Sequence, residues 1–302
     1  IQNTNPAAVA PDTHRVLRGL RREDLFLCVH EQFMTETAKM ADIVLPATTF
    51  LEHDDLYQAA GQMHVQVHRA IIDPPGETRS NHWVLSQLAE RLGAVHEGFD
   101  MTEWELVDRT LKDSGRPGAG ELLERKWLDV QPSFDKAHFL EGFPTPNGKF
   151  KFSADWSALG PLGYKLPSLP DYCPNIDLAT KNKPFRMITS PARNFLNSSF
   201  TETPTSKKRE GRPEVLIHPK AATKLGVVSG DRVRLGNEQG SVVLHATLFD
   251  GVQRDVIVVE SVWPNAAFEE GIGINALISA EPGAPNGGAV FHDTAVWISK
   301  LD

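Results

Sequence analysis

The sequence predicts an α/β domain followed by an all-β barrel domain. Short apolar runs alternate with helical patterns in the first part, and periodicity then fades through a Pro-rich stretch. The last part contains short strand patterns separated by glycine turns, which is typical of a closed barrel. These three observations place the α/β part at residues 1–130, a connector at 131–182 and the barrel at 183–302.

The prediction of an α/β part rests on two strand patterns and two helix patterns. Leu25–Val29 is an apolar run, as in a parallel strand buried on both faces, and Asp42–Leu45 predicts the next strand. A helix is predicted from Asn81 to Gly93, and a capping box at Thr102–Glu105 opens another. This alternation predicts part of a Rossmann-like domain, with a further helix near 121–127 and an extended piece at 64–67.

The connector is defined by its prolines, which are Pro132, Pro144, Pro146, Pro161, Pro167, Pro170 and Pro174. Alternation in Lys149–Phe152 predicts one short strand there. Beyond Pro184, strands are predicted at 185–189, 214–218, 232–235, 241–248, 255–260 and 295–299. The Gly230-Asp231 turn, preceded by the helical pattern Pro219–Gly226, resembles double-psi β-barrels. The second domain is therefore predicted to be an all-β double-psi barrel.

Composition limits the classes of function. The chain has 302 residues, 40% of them hydrophobic, and a formal net charge of −8, which argues against a nucleic-acid surface. No apolar run approaches the roughly 18–20 residues of a membrane span. Cys28 and Cys173 form neither a disulfide framework nor a C-x-x-C metal site. Because the first residue is Ile1, we expect a piece of a longer protein.

The run from Glu31 to Pro46, EQFMTETAKMADIVLP, is the most informative. Its polar residues follow a strand, where open α/β sheets bind nucleotides. The run closely resembles the third domain of the molybdopterin oxidoreductases, also called the dimethyl sulfoxide reductase family. Three later runs match the fourth domain of that family in order, at Thr189–Asn194, Pro264–Leu277 and Pro285–Phe291. The order of the matches makes the resemblance specific, and it covers nearly the whole chain.

The resemblance implies a molybdenum or tungsten cofactor with two molybdopterin guanine dinucleotides. It implies that Glu31 accepts hydrogen bonds from guanine, that Thr35 bonds ribose or base, and that Arg193 meets phosphate or pterin. The cofactor-binding residues expected by this resemblance are Asn5, Glu31, Thr35, Ser190, Arg193, Asn194, Asn275, Gly288 and Phe291. In the family, the metal ligand and the cysteines of a 4Fe-4S cluster lie in the N-terminal half. No catalytic residue and no metal ligand is therefore assigned.

The function implied is the cofactor-binding C-terminal portion of an oxidoreductase that transfers an oxygen atom or a hydride equivalent. Formate dehydrogenase-like and biotin sulfoxide reductase-like members are the expected relatives, and the chain alone is expected to be inactive. The expected partners are the N-terminal half of the same enzyme or a companion subunit, and a small-molecule substrate. The cytoplasm is the expected compartment, with the periplasm left open.

Other interpretations stay open at this point. The chain could be a non-catalytic cofactor-binding subunit of a split enzyme, or its barrel could be a protein-interaction module without a pterin. His53, His64, His68 and His82 suggest a metal site, but His64 and His68 would lie ~13 Å apart along a strand, too far for one metal. Glu52–Asp55 suggests an acid/base cluster and is explained more simply as a polar loop.

Overall fold

The computed structural model describes residues 1–169, 171–174, 176–260 and 262–302, so Pro170 of the predicted connector lies outside the described residues. The chain forms two compact units. The first, called the α/β unit, comprises Ile1–Thr4, Cys28–Met34 and Ala41–Phe150. The second, called the barrel unit, comprises Asn5–Leu27, Thr35–Met40 and Lys151–Asp302. The domain boundaries at 130/131 and 182/183 stay a prediction.

The described helices and strands are numbered in chain order. The α-helices are α1 (Pro6–Val9), α2 (Thr13–Leu20), α3 (Asn81–Leu92), α4 (Glu103–Asp113), α5 (Ala119–Arg125), α6 (Phe134–Ala137), α7 (Pro204–Glu210) and α8 (Pro219–Leu225). The strands are β1 (Cys28–Glu31), β2 (Ile43–Pro46), β3 (Asp55–Gln58), β4 (His64–His68), β5 (Leu128–Asp129), β6 (Phe185–Ser190), β7 (Glu214–Ile217), β8 (Arg232–Gly236), β9 (Ser241–Leu248), β10 (Val256–Glu260) and β11 (Thr294–Lys300). Short 3₁₀ helices lie at Ala38–Met40, Glu97–Phe99, Trp156–Lys165, Asn265–Ala267 and Ile274–Leu277.

The α/β unit contains two small sheets. Strands β1 and β2 are parallel, with Cys28 opposite Ile43, and Gln2 forms a parallel bridge to the other side of β1. Strands β3, β4 and β5 form an antiparallel sheet in that order. One core of this unit is small and apolar, built from Val65, Val67, Leu111, Ala119 and Leu122.

Helix ends in the α/β unit follow the sequence signals. Ser80 caps α3 by accepting from the Trp83 N–H, and Gly93 closes it with a φ of 68°. Thr102 and Glu105 form the predicted capping box of α4. These caps satisfy backbone groups that the helix itself leaves without partners.

The Thr35 hydroxyl caps a single 3₁₀ turn at Ala38–Met40 by accepting from the Ala38 N–H at 3.2 Å. Local structure departs from the sequence analysis at two places. Lys149–Phe152 does not form the predicted strand. Strand β3 was not predicted, because Asp55 made its start look like a continuation of the polar loop.

The barrel unit contains a closed six-stranded barrel, ordered β10-β6-β11-β8-β9-β7. Two strand pairs, β6 with β10 and β7 with β9, are parallel, and the other four pairs are antiparallel. The prediction of an all-β double-psi barrel is confirmed. Inward-facing residues that are fully buried fill the barrel, including Met187, Ile217, Leu235, Leu244 and Ile257.

The turn before β8 has the chemistry that the sequence predicts. Gly230 adopts a φ of 93°, which disfavours side chains, and its N–H donates to the Ala246 carbonyl at 2.8 Å. The Asp231 carboxylate accepts from the Val228 N–H at 2.8 Å and pairs with Lys300 at 2.8 Å. The Lys300 contact lowers the pKa of the Asp231 carboxyl, with the Val228 bond assisting.

Two glycines give a matched pair of stability predictions. A Cβ at Gly236 would overlap the Trp297 ring, whereas a Cβ at Gly120 in α5 would meet nothing within 4 Å. We expect Gly236→Ala to lower the free energy of unfolding by about 1–3 kcal/mol. We expect Gly120→Ala to raise it by up to about 1 kcal/mol, because alanine is the better helix former. Urea denaturation of both variants measures the two changes in the free energy of unfolding. If the two variants changed it equally, the packing of Gly236 against Trp297 would be contradicted.

Candidate functional site

One rim of the barrel carries a cavity of about 440 Å³, here called the rim pocket. Strands β6 and β10 are parallel, so their carboxyl ends meet at the same rim, and β11, antiparallel to β6, begins there. The segments that leave or enter these strands line the rim pocket, together with Val9 and the 3₁₀ turn at Ile274. The lining residues are Val9, Thr189, Ser190, Pro191, Ala192, Asn197, Val262, Ile274, Asn275, Phe291 and His292.

The rim pocket combines apolar walls with a few placed polar atoms. Val9, Ile274 and Phe291 contribute apolar surface. The Thr189 hydroxyl donates to the Phe291 carbonyl at 3.0 Å and lies 3.3 Å from Nδ1 of His292. A flat heteroaromatic ligand suits such a cavity, because its faces pack on apolar surface and its edges meet amides and hydroxyls.

The backbone around the rim pocket is held in unusual conformations. Asn197, which lines it, has a φ of 49°, Phe200 in the same loop has 67°, and Asp293 has 69°. The loop closes through reciprocal bonds between Leu196 and Ser199 at 3.1 and 2.8 Å. Non-glycine residues with positive φ cluster at ligand sites, because the surrounding structure must hold them there.

The structure brings three of the predicted residues to the rim pocket. Ser190, Asn275 and Phe291 all line it. Arg193 is exposed and is not among the lining residues. Asn194 is half-buried, and its N–H and Nδ2 both donate to Glu210 Oε1, at 2.6 and 2.7 Å. The Asn194 amide therefore anchors the loop to the end of α7.

The other predicted residues have internal partners. The Gly288 carbonyl accepts from the Gly283 N–H at 2.8 Å. Thr35 is 8% exposed and caps the 3₁₀ turn. Glu31 lies at the end of β1, and its Oε1 accepts from the Gln32 N–H at 2.8 Å. Cofactor binding by these residues stays a prediction.

Asn5 belongs to a buried polar network in the barrel unit that the sequence did not reveal. Asn5 is 4% exposed, donates to Glu36 Oε2 at 2.9 Å and accepts from the Thr37 N–H and hydroxyl. The other Glu36 oxygen accepts from the Asn265 N–H at 2.9 Å. Asn265 in turn donates to the Ala7 carbonyl at 2.9 Å. The Asn5 amide therefore organises its own unit through internal hydrogen bonds.

Asn275 both forms a buried hydrogen bond and lines the rim pocket. It is 2% exposed, its Nδ2 donates to the Ala8 carbonyl at 3.0 Å, and it also lines the rim pocket. Glu36 and Asn265, which sequence reasoning missed, hold the neighbouring backbone in the same way. Asn265 lies in the run Pro264–Leu277 that carried the family resemblance, and that run was the available signal.

The α/β unit carries a second cavity of about 380 Å³, here called the sheet-edge pocket. Asn3, Gln32, Thr48 and Phe50 line it, directly beyond Gln2, β1 and β2, which are parallel neighbours. The carboxyl ends of parallel strands are where open α/β sheets bind nucleotides. The remaining lining residues are His53, Asp54, Asp55, Tyr57, Ser80, Asn81, His82, Glu103, Leu106 and Val107.

Internal hydrogen bonds organise the acidic side chains of the sheet-edge pocket. Asp54 Oδ1 accepts from the Ala70 N–H at 2.8 Å and lies 3.4 Å from Nε of Arg69. Glu103 accepts from the Ser80 hydroxyl and from the Asp54 N–H. Two of the carboxylates, those of Asp54 and Glu103, therefore have hydrogen-bond partners within the protein.

His53 and Tyr57 complete the polar wall of the sheet-edge pocket. His53 Nδ1 lies 2.9 Å from the Thr48 hydroxyl, and its Nε2 lies 3.6 Å from Asp55 Oδ2. Burial and the nearby Asp55 charge raise the pKa of the Tyr57 hydroxyl, which lies 2.9 Å from Nε2 of His68. Tyr57 is therefore held as a neutral hydrogen-bonding group. Within the described ranges, no group of three or more His, Cys, Asp or Glu residues could hold a metal ion.

Comparison with known proteins identifies two regions of the chain. Residues 1–91 match the family model "Molybdopterin oxidoreductase", and residues 185–295 match "Molydopterin dinucleotide binding domain". The probable oxidoreductase YoaE of Bacillus subtilis is 34% identical over 100% of this chain and 44% of its own length. The chain thus spans less than half of that relative.

More distant relatives extend the same pattern. A formate dehydrogenase subunit alpha of Methanocaldococcus jannaschii is 27% identical, with 85% of this chain and 37% of the relative covered. The biotin sulfoxide reductase of Cereibacter sphaeroides is also 27% identical, with 88% and 39% covered.

The fold has a solved counterpart. Acetylene hydratase from Pelobacter acetylenicus superposes with a TM-score of 0.80 at 21% identity, over 99% of this chain and 43% of that protein. In the part of the chain that the structure describes, no helix is long and apolar enough to cross a membrane.

The two matched regions, their order and the confirmed barrel show that the chain belongs to the molybdopterin oxidoreductase family.

Proposed function

We propose that this chain is the cofactor-binding C-terminal portion of a molybdenum or tungsten oxidoreductase that carries two molybdopterin guanine dinucleotides. The observation that carries the proposal is the rim pocket, because all of its lining residues except Val9 lie within the region that matches the dinucleotide-binding domain. Its apolar walls and placed amides suit a pterin, and the bound cofactor supplies the two-electron chemistry. The protein contributes binding and orientation.

Within the rim pocket, each group has a proposed task. Ser190 and Asn197 present hydrogen-bonding side chains to the pterin edges, and Phe291 packs against the ring system. Thr189 fixes the position of Phe291 through its 3.0 Å bond to that carbonyl. Asn275 positions the wall by holding the Ala8 carbonyl. Arg193 and Gly288 do not line the pocket, and we assign to them contacts with the phosphate end of the cofactor.

The sheet-edge pocket is proposed to hold the guanine end of one dinucleotide. Its volume of about 380 Å³ accommodates a base, and it lies beyond parallel strand ends. Phe50 is 61% exposed and offers a ring for stacking, while Asn3 and Gln32 offer amides. Glu31 and Thr35 remain the residues that family resemblance proposes for guanosine.

The proposed reaction is transfer of an oxygen atom or of a hydride equivalent, as in formate dehydrogenase-like or biotin sulfoxide reductase-like enzymes. The relatives named above motivate that range. The proposed partner is a further part of the same enzyme or a companion subunit, which would contribute the metal ligand and a 4Fe-4S cluster. The proposed substrate is a small molecule.

Titration of the 302-residue chain with guanosine monophosphate tests the sheet-edge pocket. Because stacking on an aromatic ring contributes roughly 1–3 kcal/mol per base, we expect Phe50→Ala to weaken binding about tenfold. Isothermal calorimetry measures this, with adenosine monophosphate as the weaker comparison ligand. Tyr172→Ala, at a 75% exposed aromatic in the barrel unit, is the control and should leave the affinity unchanged. If wild type and Phe50→Ala bound guanosine monophosphate with equal affinity, the placement of the base in this pocket would be contradicted.

A further inference from the structure

Strand β2 and helix α3 enclose a groove of about 460 Å³, here called the β2–α3 groove. Its apolar wall comes from both elements, with Val44 and Leu45 on the strand and Val84 and Leu88 on the helix. Val84 and Leu88 are four residues apart, so they lie on one helix face. The groove shares no lining residue with the sheet-edge pocket, and its volume is that of a small-molecule site.

Exposed apolar surface remains in this groove. Trp83 is 48% exposed and Leu88 is 47% exposed, although both line a concave wall. Trp83, Gln87 and Arg91 follow one another at four-residue intervals along α3, so they form one continuous border of the groove. A ligand with an apolar body would remove the Trp83 and Leu88 surfaces from water.

Two guanidinium groups are positioned at the groove without a carboxylate partner. Arg79 lies over the Trp83 ring, 5.4 Å from its centroid, and donates to the Thr78 carbonyl at 2.7 Å. Arg91 Nη1 donates to the carbonyl and Oε1 of Gln87, both at 2.9 Å. Within the described residues, neither arginine forms an ion pair, although both are held by their neighbours.

Other arginines that the structure describes do have a carboxylate partner. They are Arg22, Arg69, Arg109, Arg125, Arg186, Arg212, Arg232 and Arg234. Glu77 also lines the groove, but the structure does not pair it with Arg79 or Arg91. The groove therefore carries two cations against one anion, and its charge favours an anionic ligand.

We propose that the β2–α3 groove binds a small aromatic carboxylate. The ring would lie on the apolar wall beside Trp83, and the carboxylate would meet the guanidinium groups of Arg79 or Arg91. Arginine suits this task, because its planar fork matches a carboxylate in a bidentate geometry. The apolar wall and Glu77 disfavour a polyanion such as a nucleotide, so the site differs in ligand class from the sheet-edge pocket.

The test uses phenylbutyrate and its neutral analogue phenylbutanol as probes for the 302-residue chain. We expect phenylbutyrate to bind about tenfold more tightly than phenylbutanol, because only the acid gains a charge-assisted bond. The double variant Arg79→Gln/Arg91→Gln should lose that tenfold preference and keep its affinity for phenylbutanol. Arg254→Gln, which changes an exposed arginine in the barrel unit, is the matched control and should keep the preference.

A second variant separates loss of binding from loss of folding. Leu88→Glu places a carboxylate on the half-exposed wall and should weaken phenylbutyrate binding at least about tenfold by like-charge repulsion. Its circular dichroism melting curve and its affinity for guanosine monophosphate should match those of wild type. Equal binding of acid and alcohol by wild type, or unchanged phenylbutyrate binding by Leu88→Glu, would overturn the proposal. Failure of guanosine monophosphate binding alone would bear only on the sheet-edge pocket.

Discussion

Asn265→Ala should lower the free energy of unfolding by about 2–4 kcal/mol, because it orphans two buried backbone groups. In the native chain, Nδ2 of Asn265 donates to the Ala7 carbonyl at 2.9 Å and Oδ1 accepts from the Gly273 N–H at 2.8 Å. Asn265 is 6% exposed, so water does not replace those partners without rearrangement. Urea denaturation followed by circular dichroism measures the loss.

The control for this prediction is Asn286→Ala, at an exposed asparagine of the barrel unit. Its effect should stay within about 0.5 kcal/mol. A loss below about 0.5 kcal/mol for Asn265→Ala would show that the side-chain bonds of Asn265 to Ala7 and Gly273 do not hold the unit together.

Ser190→Phe should abolish most cofactor binding by filling the rim pocket. Ser190 lies at the end of β6 and is half-buried, and the new ring would occupy space that the proposal assigns to the pterin. We expect the cofactor content of the purified enzyme carrying this chain to fall about tenfold or more, which corresponds to roughly 1.4 kcal/mol of lost affinity. Molybdenum or tungsten analysis and pterin fluorescence after oxidation measure the content.

Ser299→Phe provides the matched control for the rim pocket. Ser299 is exposed on β11 of the same barrel and does not line the cavity, so the same change there should leave cofactor content unchanged. Wild-type cofactor content in Ser190→Phe would contradict the placement of the pterin. A parallel fall in both variants would indicate a general loss of barrel stability and would equally remove the support from this test.

The sequence predicts the barrel well because its local signals agree with its tertiary packing. Strands β7 and β9 show residues that alternate or run as apolar stretches, and the turns before β8 and β9 contain Gly230 and Gly240. Strand β3 was missed because Asp55 starts it, and its stability comes from pairing with β4. Lys149–Phe152 shows the reverse case, since alternation alone does not supply a partner strand.

The site was harder to predict than the fold. Ser190, Asn275 and Phe291 meet at one pocket because β6, β11 and the 3₁₀ turn at Ile274 reach the same rim, which spacing along the chain does not reveal. Asn5 illustrates what the sequence leaves out. The family resemblance implies that Asn5 contacts the cofactor, whereas its hydrogen bonds to Glu36 and Thr37 inside the barrel unit depend on tertiary contacts that the sequence does not show.

The central claim is that this chain serves a molybdenum or tungsten pterin enzyme, and direct analysis of the native protein that contains it tests this claim. The protein is purified, its metals are measured by mass spectrometry, and its nucleotides are released by acid hydrolysis. We predict molybdenum or tungsten together with guanosine monophosphate, in about a two-to-one ratio of nucleotide to metal. Protein that is folded and active but contains neither metal nor guanine nucleotide would contradict the account.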